Sequence, residues 1–557
     1  MPRHPQTERP GADAGGVAVA RDRRATAAAG SPLGAALDPG GAGPVPEGSL
    51  AALLVLTLAV LVGFMPIPRD PDLWFHLAGG DFIRTTRDVP SIDVFSITRG
   101  GAPWVPHSWL FDMLVSTAWA TIGPRATEAL MALVFAAAVL GAYQMLRRSD
   151  VSPVLACLVC AALAIAAGNS RGLRPQVFSL LFTVLTLGAL LAHAIRPGRR
   201  ILLTIPVLFV VWAQLHGACV MGVGVMLIWF VGRVVDALVE RAWGERRFEL
   251  RMLAACVGLG AVAVLVTPHE ITHYEYLALT MKLKYLHANV AEWQAPKALS
   301  ASVPDVHAYV LLGGLLLVLG RSRRAVPFAP ALTSAALLML ALSGARHIPL
   351  AWVGAIPLLG SVLGAAARRA APAERGVGAE AMGPRAAPTR VAGGGAARRA
   401  AAAGMGAVGV FAGLWSYPTT VRERYSRVEP VRGAALLAAK GRDVRVFTTY
   451  NTGAYVLWCG AQHLRVFVDS RADVYGDDVL WRAHRAAGGI GWEAVFAEYG
   501  IEAAVLERRE RLCRILRSDR SWRVLAEDAA TVTFIRRDAF GEGPQAIAAW
   551  SRLARER

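Results

Sequence analysis

The chain alternates between long apolar runs and short polar loops. A membrane-spanning helix needs about 20 consecutive apolar residues, and eleven runs approach that length. The predicted spans are residues 49–67, 126–146, 151–168, 175–195, 200–216, 218–236, 250–268, 306–320, 326–343, 347–366 and 401–416. This pattern predicts a polytopic α-helical membrane protein that crosses the bilayer about eleven times.

Two segments lack the apolar pattern. Residues 1–48 are rich in Gly, Ala, Pro and Arg and predict a disordered tail. Residues 367–400 have a similar composition and predict a flexible linker before the last span, 401–416. Between them, we expect residues 49–366 to form one transmembrane unit, whose first outer loop is 69–125.

The C-terminal region, residues 417–557, has a different pattern. Strand-like runs such as VRVFTTY, LRVFVDS, AAVLER and ATVTFIRR alternate with short helical patterns. Strands that alternate with helices are typical of an α/β fold. The sequence therefore predicts a small C-terminal α/β domain, and we expect its segment 442–537 to fold by itself.

Charge predicts the orientation of the chain. Only 18% of residues are charged and 54% are hydrophobic, yet the net charge is +18. The arginines are concentrated in the loops at 147–148, 196–200, 241–251, 321–324 and 368–399. Cytoplasmic loops carry the excess of basic residues, so alternation from a cytoplasmic N-terminus puts all five loops inside. We expect a cytoplasmic N-terminus, an extracytoplasmic C-terminus and no nucleic-acid partner.

An acidic pair follows the first span directly. Asp70 and Asp72 lie at the expected membrane surface, before Trp74 and His76. Two carboxylates this close can bind a divalent cation such as Mg²⁺ or Mn²⁺, or one of them can act as a general base. Alternatively, they stabilise the first turn of a helix. The residues themselves leave both interpretations open.

Further polar residues recur at the outer ends of the spans and in the outer loops. Ionisable groups at membrane depth usually face a cavity or a partner. Guanidinium groups suit phosphate binding and imidazoles suit proton transfer. We therefore predict a substrate site formed by His76, His107, Arg171, Arg174, His216, His269, Glu270, Glu292, Arg346 and His347.

One loop of the C-terminal region also concentrates polar residues. FVDSRADVY carries Asp469, Arg471, Asp473 and Tyr475 at the end of a predicted strand. Such a loop can bind substrate. The alternative is an internal Asp–Arg pair that ties the loop to its sheet, and we favour that pair.

The first-loop segment DPDLWFHLAGGDFI resembles the first-loop motif of the GT-C glycosyltransferase superfamily. It is distantly similar to oligosaccharyltransferase catalytic subunits and protein mannosyltransferases, in which an acidic residue precedes aromatics and an amphipathic helix. With PWVPHSWL, WAQLHG, TPHE and FVDSRADVY, it more closely resembles a group of bacterial GT-C-like membrane proteins over most of residues 49–537. The chain departs from that group at Ser108, where His-Glu is expected, and it has no WWDYG-like acceptor motif.

The resemblance implies a hexosyl- or pentosyltransferase of the cell envelope, located in the bacterial inner (plasma) membrane. It would take a polyprenyl-phosphate-linked sugar as donor and a glycan, lipid or protein as acceptor on the outer face of the membrane. Asp70 or Asp72 would be the base or would hold a metal, and the spacing to Trp74 and Ala78 favours Asp70. Arg171, Arg174 or Arg346 would neutralise the phosphate of the leaving group.

Two other functions fit part of the pattern. A lipid or glycan transporter would also gather polar groups, but transporters usually place charges within the spans. Here the spans are nearly free of charge. A non-catalytic envelope scaffold with a decayed GT-C site is consistent with the altered loop position and the missing acceptor motif.

Overall fold

The computed structural model describes residues 47–64, 70–169, 172–297, 302–322, 326–370, 425, 427–460 and 463–540. The predicted tail up to residue 46, residues 371–400 of the linker and the span 401–416 lie outside the described residues. Arg171 lies outside them as well. The elements below are numbered in chain order.

The N-terminal two thirds of the described chain is helical. Its helices are α1 (Glu47–Phe64), α2 (Asp72–Thr86), α3 (Trp109–Arg148), α4 (Pro153–Ala166), α5 (Gln176–Ile195), α6 (Ile201–Leu215), α7 (Cys219–Val239), α8 (Trp243–Val264), α9 (Thr272–Thr280), α10 (Lys284–Asn289), α11 (Val303–Gly320), α12 (Phe328–Ser343) and α13 (Ile348–Ala370). Every predicted span within the described residues overlaps one of these helices.

Five described helices are long and apolar enough to cross a membrane. They are Trp109–Arg148, Gln176–Ile195, Cys219–Val239, Val303–Gly320 and Ala345–Ala366. Shorter apolar helices lie at Ala51–Gly63, Pro153–Ala166, Ile201–Leu215 and Phe328–Ser343. The membrane class agrees with the prediction, and the count of eleven crossings stays a prediction.

Helix α3 is longer than the span predicted within it. Its 40 residues include Gly123 at φ 83° and ψ 168°, and Pro124 follows directly. Proline cannot donate a helical hydrogen bond, and glycine adopts positive φ without strain. The two residues therefore form a kink between the predicted span and the segment that precedes it, which packs against α2.

Close helix packing depends on small residues. A Cβ on Gly80 of α2 would lie 2.0 Å from the Asp112 carbonyl oxygen of α3. A Cβ on Gly232 of α7 would lie 2.3 Å from the Ala329 Cα of α12. Backbones approach this closely only where the side chain is absent or small. Glycine therefore fixes the depth at which α2 lies against the bundle.

The C-terminal part forms a five-stranded mixed sheet covered by helices. Its elements are α14 (Val431–Ala438), β1 (Val444–Phe447), α15 (Gly453–Cys459), β2 (Leu464–Val466), α16 (Ala472–Ala487), α17 (Trp492–Tyr499), β3 (Ala503–Glu507), α18 (Arg511–Ser518), β4 (Trp522–Glu527), β5 (Thr531–Arg536) and α19 (Arg537–Phe540). The strand order is β2-β1-β3-β5-β4. Strands β1, β2 and β3 pair in parallel, and β5 pairs antiparallel with β3 and β4. The predicted small α/β fold is present.

This sheet is attached to the helical part at two places, the first loop and helix α10. The Ile97 amide of the first loop donates to the Val466 carbonyl at 2.9 Å, beside the edge strand β2. The Asp477 carboxylate of α16 accepts from the backbone amide of Tyr285 in α10, at 2.7 Å. The C-terminal part therefore lies over the ends of the helices that carry the predicted site.

Candidate functional site

Helix α2 places its polar residues on one face. Asp72 lies in the first turn, after Pro71, and His76 follows four residues later, one turn along the helix. The helix ends at Arg87, whose left-handed conformation lets its amide donate to the Ile83 carbonyl. Asp72 and His76 therefore face the same cavity.

The acidic pair meets a buried arginine. Arg174 Nε donates to Asp70 Oδ1 at 2.8 Å and Arg174 Nη1 donates to Glu292 Oε2 at 3.0 Å. Its Nη2 lies 3.6 Å from Asp72 Oδ2. Only 9% of the Arg174 side chain is exposed. Three carboxylates thus share one guanidinium group, and Arg174 is held by protein groups.

The three carboxylates are not equivalent. Burial raises the pKa of Asp72, and the attraction of Arg174 does not offset this effect. Burial also acts on Glu292, but there Arg174 and Arg346 outweigh it and hold the carboxyl pKa below its usual value. Asp70 and Glu292 accept the hydrogen bonds of Arg174, whereas Asp72 lies farther from the guanidinium group and its carboxyl pKa is raised.

A second arginine faces the cavity. Arg346 lies in the Ala345–His347 turn between α12 and α13. Its guanidinium carbon lies 4.1 Å from the centre of the Trp293 ring, and Nη1 lies 3.9 Å from Glu292 Oε1. These contacts are looser than those of Arg174, and 21% of the Arg346 side chain is exposed. Arg346 is the cation better placed to meet an anionic ligand.

These residues line a partly enclosed cavity of about 140 Å³. That volume accommodates several water molecules or a small polar group. Its wall is formed by residues at the ends of the apolar helices and by residues of the C-terminal part. The polar residues of the wall include Asp72, His76, His107, Gln176, Ser179, His216, Tyr276, Glu292, Arg346, His347, Tyr450, Ser470, Arg471 and Asp473.

Hydrogen bonds hold one histidine of this wall in place. Trp212 Nε1 donates to Ser179 Oγ at 2.8 Å, and the same oxygen lies 2.6 Å from His216 Nδ1. The Ser179 hydroxyl therefore fixes the position of the His216 ring in the cavity wall.

His107 is also held in the wall as a neutral ring. It stacks on Tyr276 with ring centroids 4.3 Å apart and lies 5.9 Å from the His216 ring. Burial, together with the neighbouring histidines, lowers the pKa of His107 well below its usual value. A neutral imidazole beside an arginine and a carboxylate suits a ligand that carries both hydroxyl groups and a charge.

Several predicted site residues lie away from the wall. His269 and Glu270 are not among the residues that line the cavity, and Glu270 is exposed. The neighbouring His273 contacts Cys219, with Nε2 and Sγ 3.6 Å apart. His269 and Glu270 are therefore not part of the cavity wall, and the neighbouring His273 packs on α7. Asp70 and Arg174 lie directly behind the wall.

The C-terminal loop forms the internal pair that we favoured, with an additional partner. Arg471 Nη2 donates to Asp469 Oδ2 at 2.7 Å, and Arg471 Nη1 donates to Asp93 Oδ1 of the first loop at 2.9 Å. The Tyr475 hydroxyl also donates to Asp469 at 2.7 Å. All four side chains are buried. They tie the loop to the first outer loop, and Asp473 reaches the cavity wall, where burial raises its pKa to about 7.

The residues present do not fit the Mg²⁺ or Mn²⁺ site considered for Asp70 and Asp72. Within the described ranges, no three His, Cys, Asp or Glu side chains are grouped to hold a metal ion. The Arg174 guanidinium occupies the position between the carboxylates that a cation would take. We therefore derive no chemical step through a metal.

Sequence reasoning missed a carboxylate of this region. Asp112 lies in the first turn of α3, is buried, and contacts His76. The signal was available, because an acidic residue in the apolar segment WLFDMLV is costly unless it has a partner. The partner itself, on another helix, was not evident from the pattern. Ser179 and Tyr276 were missed because hydroxyl groups are common in apolar helices.

No model of a known protein family matches the chain, and no curated protein matches it. Solved structures do align with it. The archaeal oligosaccharyltransferase AglB from Archaeoglobus fulgidus, in complex with an inhibitory peptide and a dolichol-phosphate, is 12% identical, with a TM-score of 0.47 over 82% of this chain and 69% of that chain. The same organism's oligosaccharyltransferase in complex with Zn and sulfate is 13% identical, with a TM-score of 0.44 over 82% and 68%.

ArnT from Cupriavidus metallidurans, bound to undecaprenyl phosphate, is 14% identical, with a TM-score of 0.44 over 89% of this chain and 98% of that chain. Because these identities and TM-scores are low, the function proposed below rests on the geometry of the cavity. The solved structures that the chain resembles are GT-C superfamily glycosyltransferases, the superfamily that its first-loop motif also resembles.

Proposed function

We propose that this protein is a membrane glycosyltransferase. It transfers a hexose or pentose from a polyprenyl-phosphate-linked donor to a hydroxyl group of a glycan, lipid or protein acceptor. One observation carries the proposal: Asp72, with its raised carboxyl pKa, and Arg346 share the wall of one cavity at the ends of apolar helices. A base and a phosphate-binding cation at this depth suit a substrate whose phosphate lies at the headgroup level.

The phosphate is assigned to Arg346. Arg174 already donates to two carboxylates and is nearly enclosed, so it has little capacity for a further anion. Arg346 keeps part of its guanidinium group exposed beside Trp293. Guanidinium groups bind phosphate through paired hydrogen bonds. Arg346 therefore stabilises the negative charge that develops on the leaving phosphate.

The base is assigned to Asp72. The acceptor oxygen attacks the anomeric carbon of the sugar and forms the new glycosidic bond. The bond between that carbon and the phosphate oxygen breaks, and the electron pair leaves with the polyprenyl phosphate. The proton of the acceptor hydroxyl passes to the Asp72 carboxylate. A base works best when its pKa is near the working pH, and burial moves Asp72 in that direction.

The reaction is proposed for the outer face of the membrane. Helix α6 follows Arg199 and Arg200 and ends at His216 of the cavity wall. Helix α5 begins beside Arg174 and ends at Arg196. Cavity residues and arginine-rich loops thus lie at opposite ends of the same helices, and the positive-inside rule makes the arginine side cytoplasmic.

The experiment is a transfer assay with the purified full-length chain in lipid nanodiscs. The donors are undecaprenyl-phosphate-linked hexoses and pentoses with a radiolabelled sugar, and a cell-envelope extract supplies acceptors. We expect loss of label from the lipid and release of undecaprenyl phosphate. Arg346→Gln should slow this release by about 10²- to 10³-fold, the usual effect of losing one charge-stabilising donor.

The control is Arg482→Gln, which removes an arginine that pairs with Glu498 on the surface of the C-terminal part. It should transfer sugar at the wild-type rate. Failure of the wild-type protein to discharge any donor of the panel would contradict the proposed activity. Equal rates for Arg346→Gln and the control would remove Arg346 from the phosphate site.

A further inference from the structure

A buried histidine–aspartate pair joins the cavity wall to the interior, with His76 in the wall and Asp112 behind it. His76 Nδ1 lies 2.7 Å from Asp112 Oδ1, and the Ser108 hydroxyl donates to the same oxygen at 2.9 Å. His76 is 2% exposed and Asp112 is 1% exposed. A carboxylate accepts hydrogen bonds, so Nδ1–H donates to Asp112. In the neutral ring, Nε2 is then left as a proton acceptor.

The close packing of α2 on α3 creates this pair. The missing side chain of Gly80 allows the backbone of α2 to approach Asp112. His76 lies one turn before Gly80 on the same helix and therefore reaches the carboxylate. Among the described imidazoles of the cavity wall, only His76 hydrogen-bonds to a carboxylate. His107 and His216 instead contact Tyr276 and Ser179.

His76 is also the neighbour of the proposed base. Residues four apart on a helix have Cβ atoms roughly 5–6 Å apart, and Asp72 and His76 both line the cavity. After transfer, Asp72 holds the acceptor's proton and must lose it before the next cycle. The imidazole one turn away is a positioned acceptor for that proton, directly or through one water molecule.

We propose that His76 is a second catalytic residue, which receives the proton from Asp72, and that Asp112 is its positioning residue. This inference rests on the proposed transferase function. The proton moves from the Asp72 carboxyl oxygen to His76 Nε2. The resulting imidazolium is paired with the Asp112 carboxylate, so the net charge of the buried pair changes from −1 to zero. Water in the cavity then takes the proton and regenerates neutral His76.

The test compares steady-state transfer by the wild-type chain, His76→Gln, His76→Ala and Asp112→Asn. The His76 variants should lose about 10²-fold in kcat, the lower range for a lost proton-transfer group, with KM within a factor of about two. Proton loss from Asp72 then depends on solution bases, so the rate of His76→Gln should rise with buffer-base concentration. Added imidazole should partly restore His76→Ala.

Asp112→Asn keeps the shape of the pair and removes the charge that stabilises the imidazolium, so its kcat should fall while its melting temperature changes little. His193→Gln is the control, because His193 is a buried histidine that contacts the Glu249 carbonyl, far along α5 from the cavity. It should keep the wild-type rate and show no imidazole effect. These outcomes together support the relay.

Wild-type kcat in His76→Gln, or loss of activity only in proportion to lost folded protein with no response to imidazole, would overturn the relay. The proposed function would stand in that case, because the wild-type chain and Asp72 variants report on it separately. A wild-type chain that discharges no donor would overturn the transferase function and the relay together. Rescue of Asp72→Asn by imidazole to the same degree as His76→Ala would also contradict the relay.

Discussion

Two aspartates that look alike in sequence have different surroundings. Asp70 accepts a hydrogen bond from Arg174 and lies behind the cavity wall, whereas Asp72 lies in it. The helical spacing to Trp74 and Ala78 favoured Asp70 as the base. The geometry instead supports Asp72, because Asp72 lines the cavity and can reach a bound acceptor, whereas Asp70 does not line it. Sequence could locate the pair but could not divide its roles, which depend on Arg174, about a hundred residues away.

This division predicts different effects of two matched substitutions. Asp72→Asn should slow transfer by about 10²- to 10⁴-fold. It should not lower thermal stability, because burying the ionised Asp72 carboxylate costs free energy that the neutral asparagine does not. Asp70→Asn should weaken a charged hydrogen bond by about 1.5–3 kcal/mol and reduce activity mainly through lost folded protein. Transfer rate and melting temperature, measured on the same preparations, separate the two effects.

The wild-type pH profile provides the accompanying check. Burial raises the pKa of Asp72, so the active carboxylate form is lost as pH falls through that raised value. The acid limb of the rate should therefore lie above the range of an ordinary aspartate. Full activity of Asp72→Asn, or a stability loss confined to that variant, would reverse the assignment.

At the scale of elements, apolar periodicity predicted helices well and their mutual positions poorly. A run of apolar residues predicts one helix at a time, and each predicted span among the described residues overlaps a helix. The depth at which α2 lies on α3 depends on Gly80, and the kink of α3 depends on Gly123. Such residues act through a partner backbone or a local dihedral angle. The hydrophobic pattern of the sequence contains little information about a partner backbone or a dihedral angle.

The two adjacent glycines of α2 offer a direct test. A Cβ on Gly80 would lie 2.0 Å from the Asp112 carbonyl oxygen, whereas a Cβ on Gly79 would lie no closer than 3.4 Å to any atom. Gly80→Ala should force α2 away from α3 and destabilise the fold by about 1–3 kcal/mol. It should also reduce transfer, because Asp72 and His76 move with the helix.

Gly79→Ala is the matched control, since it makes the same chemical change on the same helix. Alanine has a higher helix propensity than glycine, by about 1 kcal/mol, so this variant should melt at the wild-type temperature or above. The measurement is thermal unfolding of both variants in the same detergent. Equal melting temperatures for the two would show that the close approach at Gly80 does not determine the packing.

For the whole molecule, the C-terminal part completes the cavity formed by the membrane part. Arg471 binds Asp469 of its own loop and Asp93 of the first outer loop, 378 residues away in sequence. Buried charges need such partners, and pairs this distant are not readable from one sequence. That attachment places Asp473 and Tyr450 in the cavity wall. Whether the segment 442–537 also folds alone stays a prediction.

The orientation of the whole chain is the last testable consequence. The arginine-rich loops predict a cytoplasmic N-terminus and an extracytoplasmic C-terminus. The arrangement of α5 and α6, with arginines at one end and cavity residues at the other, is consistent with that orientation. An alkaline phosphatase reporter, active only outside the cytoplasm, should be active after Arg557 and silent at residue 385. A green fluorescent reporter, which fluoresces only in the cytoplasm, should give the opposite result at both positions.

If both reporters gave the reverse pattern, the cavity would open on the cytoplasmic side. The reaction on the outer face would then be wrong, although the assignment of Asp72 and Arg346 within the cavity would be unaffected.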